Sequence, residues 1–541
     1  MKIKNLLILI LILGALLRLL WLGSIPSGFF RDEAAISYNA YSIWKTGADE
    51  FGVKLPLVFR SFEVFFLPAY IYLSAPIVGV LGLSEFSSRF LSSLSGIVAV
   101  YLVFLISKEI WNEKVGVIAA FLLVIAPWHI FYSRGTFEGN LALTLFTAGF
   151  YFWIRYLNKD KIKYFLFSGI LFALSMYSYQ AERAVVPLFA ISATIIGFKK
   201  LWQNKLKLIV PVIVFVLIMI PLLSLSFKAG GYHRALGVSI FSQEANPPGW
   251  VTGIESGVFI NNSIYLRTKE VASLYLSYFS PKNLFTLGDY NKQRSVENFS
   301  VFYTFMFVGL LYGILNIFTE LNTKTKLLLV WIFAGPIPAA LTGDPFHTYR
   351  SLLMYLPMTI LIGLGFYRIL EINFKSKLIH KVIFLGICLI SLSGFVFSYV
   401  FVNKAARAHD WDYGYKEIVD FVNRQPMDTK IVIDDPWTES YINYLFFAKI
   451  DPNVYQNAVS ALGNPSNYYY SDSSKIRPKK LGNIEFRKVD WPTERGNTGM
   501  TFIMWATELP DSEFKTDPKV TLLKQIYYPD KTVAFKIVKI N

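Results

Sequence analysis

Long apolar runs recur along the first three quarters of the chain and predict a bundle of membrane-spanning helices. A helix needs about 20 apolar residues to cross a hydrocarbon core of ~30 Å. The runs that approach this length are 5–23, 88–107, 115–133, 140–157, 163–180, 184–198, 207–226, 299–318, 326–342, 351–368 and 381–402. No Ala-x-Ala-like site follows the first run, which is therefore predicted to be an uncleaved anchor.

Lysines in the short loops fix the predicted orientation. With the amino terminus inside, the loops around Lys108, Lys161, Lys200, Lys324 and Lys377 all fall on the cytoplasmic side, as the positive-inside rule requires. This holds only if one further apolar stretch is not a full crossing. That stretch, 66–82, contains two prolines and is interpreted as an interfacial or re-entrant piece.

The same orientation leaves three large segments outside a multi-pass cell-membrane protein: 24–87, 227–298 and 403–541. The last is richer in Asp, Asn and Pro and contains no run that spans. Its periodicity predicts a small α/β domain. The predicted pieces are helices at Tyr415–Asn423 and Glu439–Lys449 and strands at Lys430–Asp434, Ile484–Val489, Thr501–Trp505 and Val533–Ile540. Two domains follow, 1–402 and 403–541.

Composition agrees with a membrane protein. Hydrophobic residues make up 54% of the 541 residues and charged residues 17%, whereas soluble domains carry about 25% charged residues. A soluble cytosolic enzyme, a disordered chain and a fibrous repeat are excluded. The single Cys excludes a disulfide framework. The net charge of +16 indicates cytoplasmic loops and contact with anionic lipid rather than nucleic acid.

The first outer segment carries an acidic pair, Asp32 and Glu33, where helical spacing of apolar residues begins. The pattern predicts a short amphipathic helix lying on the membrane, with both carboxylates at its positive end. An ordinary capping pair on a wet loop is the alternative of equal weight. A later Asp410-Trp411-Asp412 is typical of metal-nucleotide sites, but we interpret it as a solvated helix entry beside an interfacial Trp.

Other outer turns place an arginine near an acid or a histidine. Arg134 precedes Glu138, Arg183 follows an acid directly, and Arg350 follows His347. Charged groups at span ends usually face the bundle or a cavity. Cations there are suited to hold a phosphate, and carboxylates to take a proton. Snorkelling to the interface is the alternative for the arginines, and an ordinary hydrogen-bonded loop residue the alternative for His347.

Three stretches together resemble a known family. They are Arg31-Asp32-Glu33-Ala34, Ser88 to Gly96, and Tyr132-Ser133-Arg134 through Glu138. In this order the chain resembles the GT-C glycosyltransferases that use a polyprenyl-phosphate sugar, specifically the protein O-mannosyltransferase and aminoarabinose-transferase-like group, family 39 and its bacterial relatives. The resemblance covers residues 1–402 and is loose for the C-terminal domain. The predicted fold is an all-α membrane bundle of about 11 spans with an extracytoplasmic C-terminal α/β domain.

The resemblance also implies an inverting sugar transfer to an acceptor hydroxyl of a protein, lipid or glycan. The family's catalytic base corresponds to Asp32, and its second-loop acid, commonly Asp, corresponds to Glu138. Whether the reaction uses a divalent cation, Mg²⁺ or Mn²⁺, is an open question. If it does, Asp32 and Glu138 are the predicted ligands. The predicted substrate-binding residues are Glu33, Arg134, Arg183, Lys282, His347 and Arg350.

Three other functions are the alternatives for such a membrane protein. A transporter or flippase of lipid-linked glycans needs no transfer chemistry, but transporters commonly break their helices at mid-membrane, whereas the polar clusters here lie at outer span ends. A scaffold whose outer tail binds a cell-wall partner leaves those clusters without a function. A surface-glycan polymerase of the same fold keeps the chemistry and changes the acceptor.

Overall fold

The computed structural model describes residues 2–62, 64–226, 263–372, 377–436, 439–463 and 477–541, and it is mostly helical. Its α-helices in chain order are α1 Ile3–Leu19, α2 Arg31–Thr46, α3 Pro68–Leu81, α4 Glu85–Ile110, α5 Glu113–Ile125, α6 Pro127–Tyr132, α7 Glu138–Lys159, α8 Ile162–Met176, α9 Glu182–Ile196, α10 Phe198–Gln203, α11 Lys205–Ser226, α12 Ser263–Ser277, α13 Met306–Thr319, α14 Thr323–Ala334, α15 Ile337–Ala340, α16 Leu352–Glu371, α17 Lys377–Phe397, α18 Asn403–Ala406, α19 Tyr415–Val422, α20 Ser440–Phe447, α21 Pro452–Ser460, α22 Trp491–Glu494 and α23 Ser512–Thr516.

The described strands form a small hairpin and one larger sheet. In chain order they are β1 Phe59–Ser61, β2 Val64–Phe66, β3 Lys430–Asp434, β4 Lys480–Leu481, β5 Ile484–Arg487, β6 Met500–Trp505, β7 Val520–Tyr527 and β8 Val533–Ile540. The larger sheet has the order β4-β5-β3-β6-β8-β7, in which β3 runs parallel to β5 and β6. The other neighbours pair antiparallel.

The chain forms two compact units, and the division differs from the predicted domains. The helical unit comprises Met1–Leu20 and Ser92–Ser398, and the mixed unit comprises Trp21–Leu91 and Tyr399–Asn541. The whole first outer segment, 24–87, therefore groups with the C-terminal residues rather than with the helical unit. The reason is direct packing of α2 on α20 and α21. The Tyr38 hydroxyl, for example, donates to the Ile450 carbonyl at 3.0 Å.

Four described helices are long and apolar enough to cross a membrane, judged by length and composition: Glu85–Ile110, Lys205–Ser224, Leu352–Glu371 and Leu378–Ala406. The finer count of about 11 spans stays a prediction. The segment 66–82 contains the 14-residue α3, which is too short to span ~30 Å as a straight helix. Of the predicted loop 227–298, residues 227–262 lie outside the described part of the chain.

Helix α16 is the centre of the helical unit, because every residue from Leu352 to Phe366 is buried. It packs on α13 and α5. Close approach depends on glycine: a Cβ at Gly363 would lie 2.7 Å from the Ala119 Cα, and one at Gly365 would lie 1.8 Å from the Gly309 carbonyl oxygen. Small residues at such crossings let helices pack without a hydrophobic driving force between them.

In the mixed unit, sequence alternation located most of the sheet. Strands β3 and β8 have the bounds predicted, and β5 and β6 differ by one or two residues. Strand β7 was missed, because its alternation is interrupted by polar residues and by register shifts against β8. The core beside the sheet contains Val432, Phe502 and Val538, with Trp491 packed edge-on against Phe502.

Candidate active site

Helix α2 carries the predicted catalytic acid and is enclosed by its own unit. Asp32 and Glu33 lie in its first turn, where the helix dipole favours carboxylates. Asp32 is half-buried, whereas every residue from Glu33 to Ala40 is buried. The prediction of a helix is confirmed, and the residues from Glu33 to Ala40 are buried on all sides of it, whereas Trp44 near its end is exposed. The prediction that this helix lies on a membrane surface stays a prediction.

Glu33 forms a buried ion pair with Arg89. The Arg89 Nε donates to Glu33 Oε2 at 2.9 Å, and Nη2 donates to Oε1 at 2.9 Å. The same guanidinium donates to the carbonyls of Leu22, Pro26 and Gly28 at 2.8 to 3.2 Å. A fork-to-fork pair of this kind fixes both side chains. The structure therefore places Glu33 as an anchor of the first turn, where sequence reasoning predicted a substrate ligand.

Arg31 ties the start of α2 to the C-terminal segment. Its Nε and Nη2 donate to the Asp412 carboxylate at 3.0 and 2.9 Å, its backbone N–H donates to the same carboxylate at 2.9 Å, and Nη1 donates to Glu439. Burial raises the pKa of Asp412, and Arg31 opposes that shift. Trp411 and Asp412 are both buried. The interpretation of Asp410-Trp411-Asp412 as a solvated helix entry is thus wrong for its last two residues.

In the helical unit, Glu138 begins α7 beside a cluster of tyrosines. The Tyr349 hydroxyl accepts from the Gly139 N–H at 2.9 Å and hydrogen-bonds the Glu138 carboxylate. The Tyr349 ring packs on Tyr132 and on Tyr179, with centroids 5.5 and 4.8 Å away. The Glu138 side chain is one methylene longer than the Asp that is common in the resembled family, and its carboxylate reaches Tyr349 in this cluster of tyrosines.

Glu182 is a second carboxyl near Glu138, and Arg183 follows it in the first turn of α9. Glu182 is buried, and within the described residues its Oε2 has no hydrogen-bond partner. Burial raises the pKa of Glu182 well above its usual range, and Glu138 adds to the shift. Arg183 is half-buried. Sequence reasoning chose the arginine of this pair and left the acid out.

Both terminal nitrogens of Arg134 donate hydrogen bonds to backbone carbonyls. Nη1 donates to Leu17 at 2.8 Å, and Nη2 donates to Leu20 at 2.7 Å. These carbonyls belong to the last turn of α1 and the residue after it, where carbonyls lack partners within the helix. The geometry therefore places Arg134 as a C-terminal cap of α1.

His347 and Arg350 belong to a charged network. Arg294 donates to His347 Nε2 at 2.9 Å, and the Arg350 N–H lies 3.2 Å from Nδ1. Burial and then the two guanidinium groups lower the pKa of His347 to about 2. The imidazole is therefore neutral. Arg350 itself pairs with Asp344 at 2.9 Å.

Asp289 and Arg294, two charged residues of this network, were missed from the sequence. The Asp289 side chain is buried and accepts from Arg294 at 2.9 Å and from the Thr348 hydroxyl at 2.8 Å. Thr348 lies 2.6 Å from the Tyr132 hydroxyl. The available signal was an acid five residues before an arginine in a predicted outer loop. By contrast, the predicted ligand Lys282 is exposed.

The described cavity beside this network is small. About 20 Å³ is enclosed between Tyr132, Asp289, Arg294 and Thr348, which is room for about one water molecule rather than a sugar. Within the described ranges, no three His, Cys, Asp or Glu side chains converge as metal ligands. Metal use by Asp32 and Glu138 stays a prediction.

Residues 67–224 match the family model described as dolichyl-phosphate-mannose-protein mannosyltransferase. No curated protein sequence matches the chain. Among solved structures, ArnT from Cupriavidus metallidurans in the apo state aligns at 11% identity over 99% of this chain and 98% of that one, with a TM-score of 0.56. The chain shares the fold of ArnT.

ArnT bound to undecaprenyl phosphate aligns at 12% identity over 98% of this chain and 97% of that one, with a TM-score of 0.52. The Archaeoglobus fulgidus oligosaccharyltransferase aligns at 13% identity over 99% of this chain and 74% of that one, with a TM-score of 0.49. The predicted resemblance to GT-C glycosyltransferases of the mannosyltransferase and ArnT group is confirmed at the level of family model and fold.

Proposed function

We propose that the protein transfers a sugar from a polyprenyl-phosphate donor to an acceptor hydroxyl at the outer face of the cell membrane, with Asp32 as the base. The proposal rests on the agreement of two comparisons. A mannosyltransferase family model matches residues 67–224, and the chain shares the fold of ArnT, which has been solved with undecaprenyl phosphate. In this proposal the chain is a bundle of about 11 spans with a cytoplasmic amino terminus and an extracytoplasmic C-terminal α/β part.

The acceptor hydroxyl is the weak reactant, so the carboxylate of Asp32 acts on it. Asp32 takes the hydroxyl proton while the acceptor oxygen attacks the anomeric carbon from the face opposite the phosphate. The bond from that carbon to the phosphate oxygen breaks, its electron pair leaves with the lipid phosphate, and the configuration inverts. The position of Asp32 suits this role, because Arg31 and Glu33 on either side are each held by ion pairs.

The leaving phosphate requires cations. Arg183, Arg350 and Lys282 are its proposed ligands, because their side chains carry positive charge at the outer turns of the predicted topology. Arg134 adds positive charge, but its terminal nitrogens already donate to the α1 carbonyls.

The prediction that Asp32 and Glu138 face one chamber stays a prediction. A non-additive effect of D32N and E138Q on transfer would support it.

The test is a transfer assay with the purified chain, a polyprenyl-phosphate hexose and hydroxyl acceptors. Asp32→Asn exchanges the base for an amide of the same size, and we expect transfer to fall by at least about 100-fold, the usual contribution of a positioned base. Asp420→Asn is the matched control, since Asp420 is exposed on α19. Near-normal transfer by D32N would remove Asp32 as the base, and no transfer by the parent chain with any such donor would contradict the proposed function.

A further inference from the structure

A polar cleft lies in the helical unit where several helices end. It has a volume of about 510 Å³ and lies between the C-terminal ends of α7 and α9, the short α10 and the N-terminal end of α14. Its lining includes Lys199, Lys200 and Lys324, together with Asn204 and a single acid, Asp160. These helix ends belong to the loops that the lysine pattern predicts to be cytoplasmic, so the cleft is distinct from the outer-face chemistry.

Two of the three lysines are held against the wall of the cleft. Lys200 Nζ donates to the Leu157 carbonyl at 2.7 Å and lies 3.4 Å from Asp160. Lys324 Nζ donates to the Glu109 carbonyl at 2.7 Å. An ammonium has three N–H donors, so these contacts orient the cations and leave donors to spare. Lys199 is exposed at the rim.

The surroundings of the cleft are those of a membrane interface. Phe198 and Trp202 on α10 are 56% and 58% exposed, and their rings stack with centroids 5.6 Å apart. Lys205 lies over the Trp202 ring at 4.2 Å. Ile195 and Leu206, on the flanking helices, are 71% and 76% exposed. Exposed aromatic rings beside lysines mark the headgroup level, and the exposed aliphatic side chains mark the adjoining acyl region.

We propose that this cleft binds the phosphate of an anionic phospholipid from the leaflet predicted to be cytoplasmic. Three lysines face one aspartate, so the cleft attracts a phosphate diester. Its volume lies within the ordinary range of small-ligand sites. Basic pockets between membrane helices on the cytoplasmic side are suited to anionic headgroups. The exposed apolar side chains beside it favour a lipid over free phosphate, because they offer contact to acyl chains.

Native mass spectrometry of the full chain in detergent tests the proposal, with dioleoyl phosphatidylglycerol and dioleoyl phosphatidylcholine as probes. We expect phosphatidylglycerol to bind at least about tenfold more tightly, because the lysines of the cleft attract its net negative headgroup. The triple variant K199Q/K200Q/K324Q is expected to lose this preference. Its matched control is K159Q/K161Q/K207Q, which removes the same charge from exposed lysines of the same predicted face.

Three results of this experiment would overturn the proposal. Equal binding of the two lipids would mean that the cleft does not recognise a net negative headgroup. Equal loss in the control variant would mean diffuse attraction to the whole basic face. Displacement of phosphatidylglycerol by millimolar inorganic phosphate would identify free phosphate as the ligand. If the triple variant does not fold, the single variant K199Q at the exposed rim replaces it. K199Q is expected to weaken the binding of phosphatidylglycerol and to leave the binding of phosphatidylcholine unchanged.

Discussion

At the scale of single residues, Glu33 shows how a tertiary partner decides a function that sequence leaves open. Glu33 was among the predicted substrate-binding residues. The structure instead places its carboxylate on Arg89, 56 residues away, with both side chains buried. Arg89 was part of the motif that carried the family resemblance, and an arginine inside an apolar run was the signal for a buried partner.

Glu33→Gln is expected to destabilise the fold, because it leaves the Arg89 charge buried without its counter-ion. Breaking one partner of a buried pair costs about 3 kcal/mol, and this should appear as a lower midpoint in thermal unfolding of the detergent-solubilised chain. Glu113→Gln, which breaks the exposed pair with Lys108, is the control and should leave the midpoint unchanged. A Glu33→Gln chain of normal stability whose KM for donor is raised would return Glu33 to substrate binding.

His347 gives a prediction about pH. Its pKa is lowered to about 2 by burial, Arg294 and Arg350, whereas the pKa of a histidine in an unfolded chain is about 6.5. Below that pH the unfolded chain binds a proton that the folded chain rejects, so stability falls as pH falls. In His347→Gln, the unfolding midpoint should decline less between pH 7 and pH 5 than in the parent chain. Parallel pH curves for the two chains would show that His347 does not titrate in this way.

At the scale of elements, helix periodicity and strand alternation located the secondary structure well, but they did not reveal what each element packs against. The helical pattern after Asp32 was read correctly as α2. Its apolar pattern suggested a membrane surface and gave no sign that α2 also packs on α20 and α21. Contacts such as Gln456 Nε2 to Ser42 Oγ at 3.0 Å join residues more than 400 positions apart, and no local pattern encodes them.

The Arg31–Asp412 pair makes the C-terminal segment a positioning element for α2. Asp412→Asn keeps the shape and removes the charge, so we expect unfolding stability to fall by about 1–3 kcal/mol. Because the first turn of α2 also carries the proposed base, kcat for transfer should fall more than KM rises. Asp420→Asn on the neighbouring α19 should change neither. If Asp412→Asn lowers stability and leaves kcat intact, the pair is structural only and the role of Asp32 is unaffected.

At the scale of the whole molecule, composition and the lysine pattern gave the protein class, and the shared fold of ArnT agrees with it. The domain boundary could not be obtained this way, because residues 21–91 and the C-terminal segment are contiguous in space and not in sequence. Apolar runs also do not separate a crossing from a short enclosed helix. The 14 residues of α3 are on average more apolar than the 26 of α4, yet only α4 is long enough to cross a membrane.

Sidedness is the prediction on which the positions of all proposed sites depend, and the chain is well suited to test it, because its only cysteine is the buried Cys388. A cysteine at exposed Lys161 should react with an impermeant maleimide only after the membrane is opened. One at exposed Ser512 should react in intact cells or spheroplasts. An odd number of full crossings before residue 161, such as a crossing by 66–82, would reverse the first result. Lys161 labelled from outside would move the lysine-lined cleft to the outer leaflet.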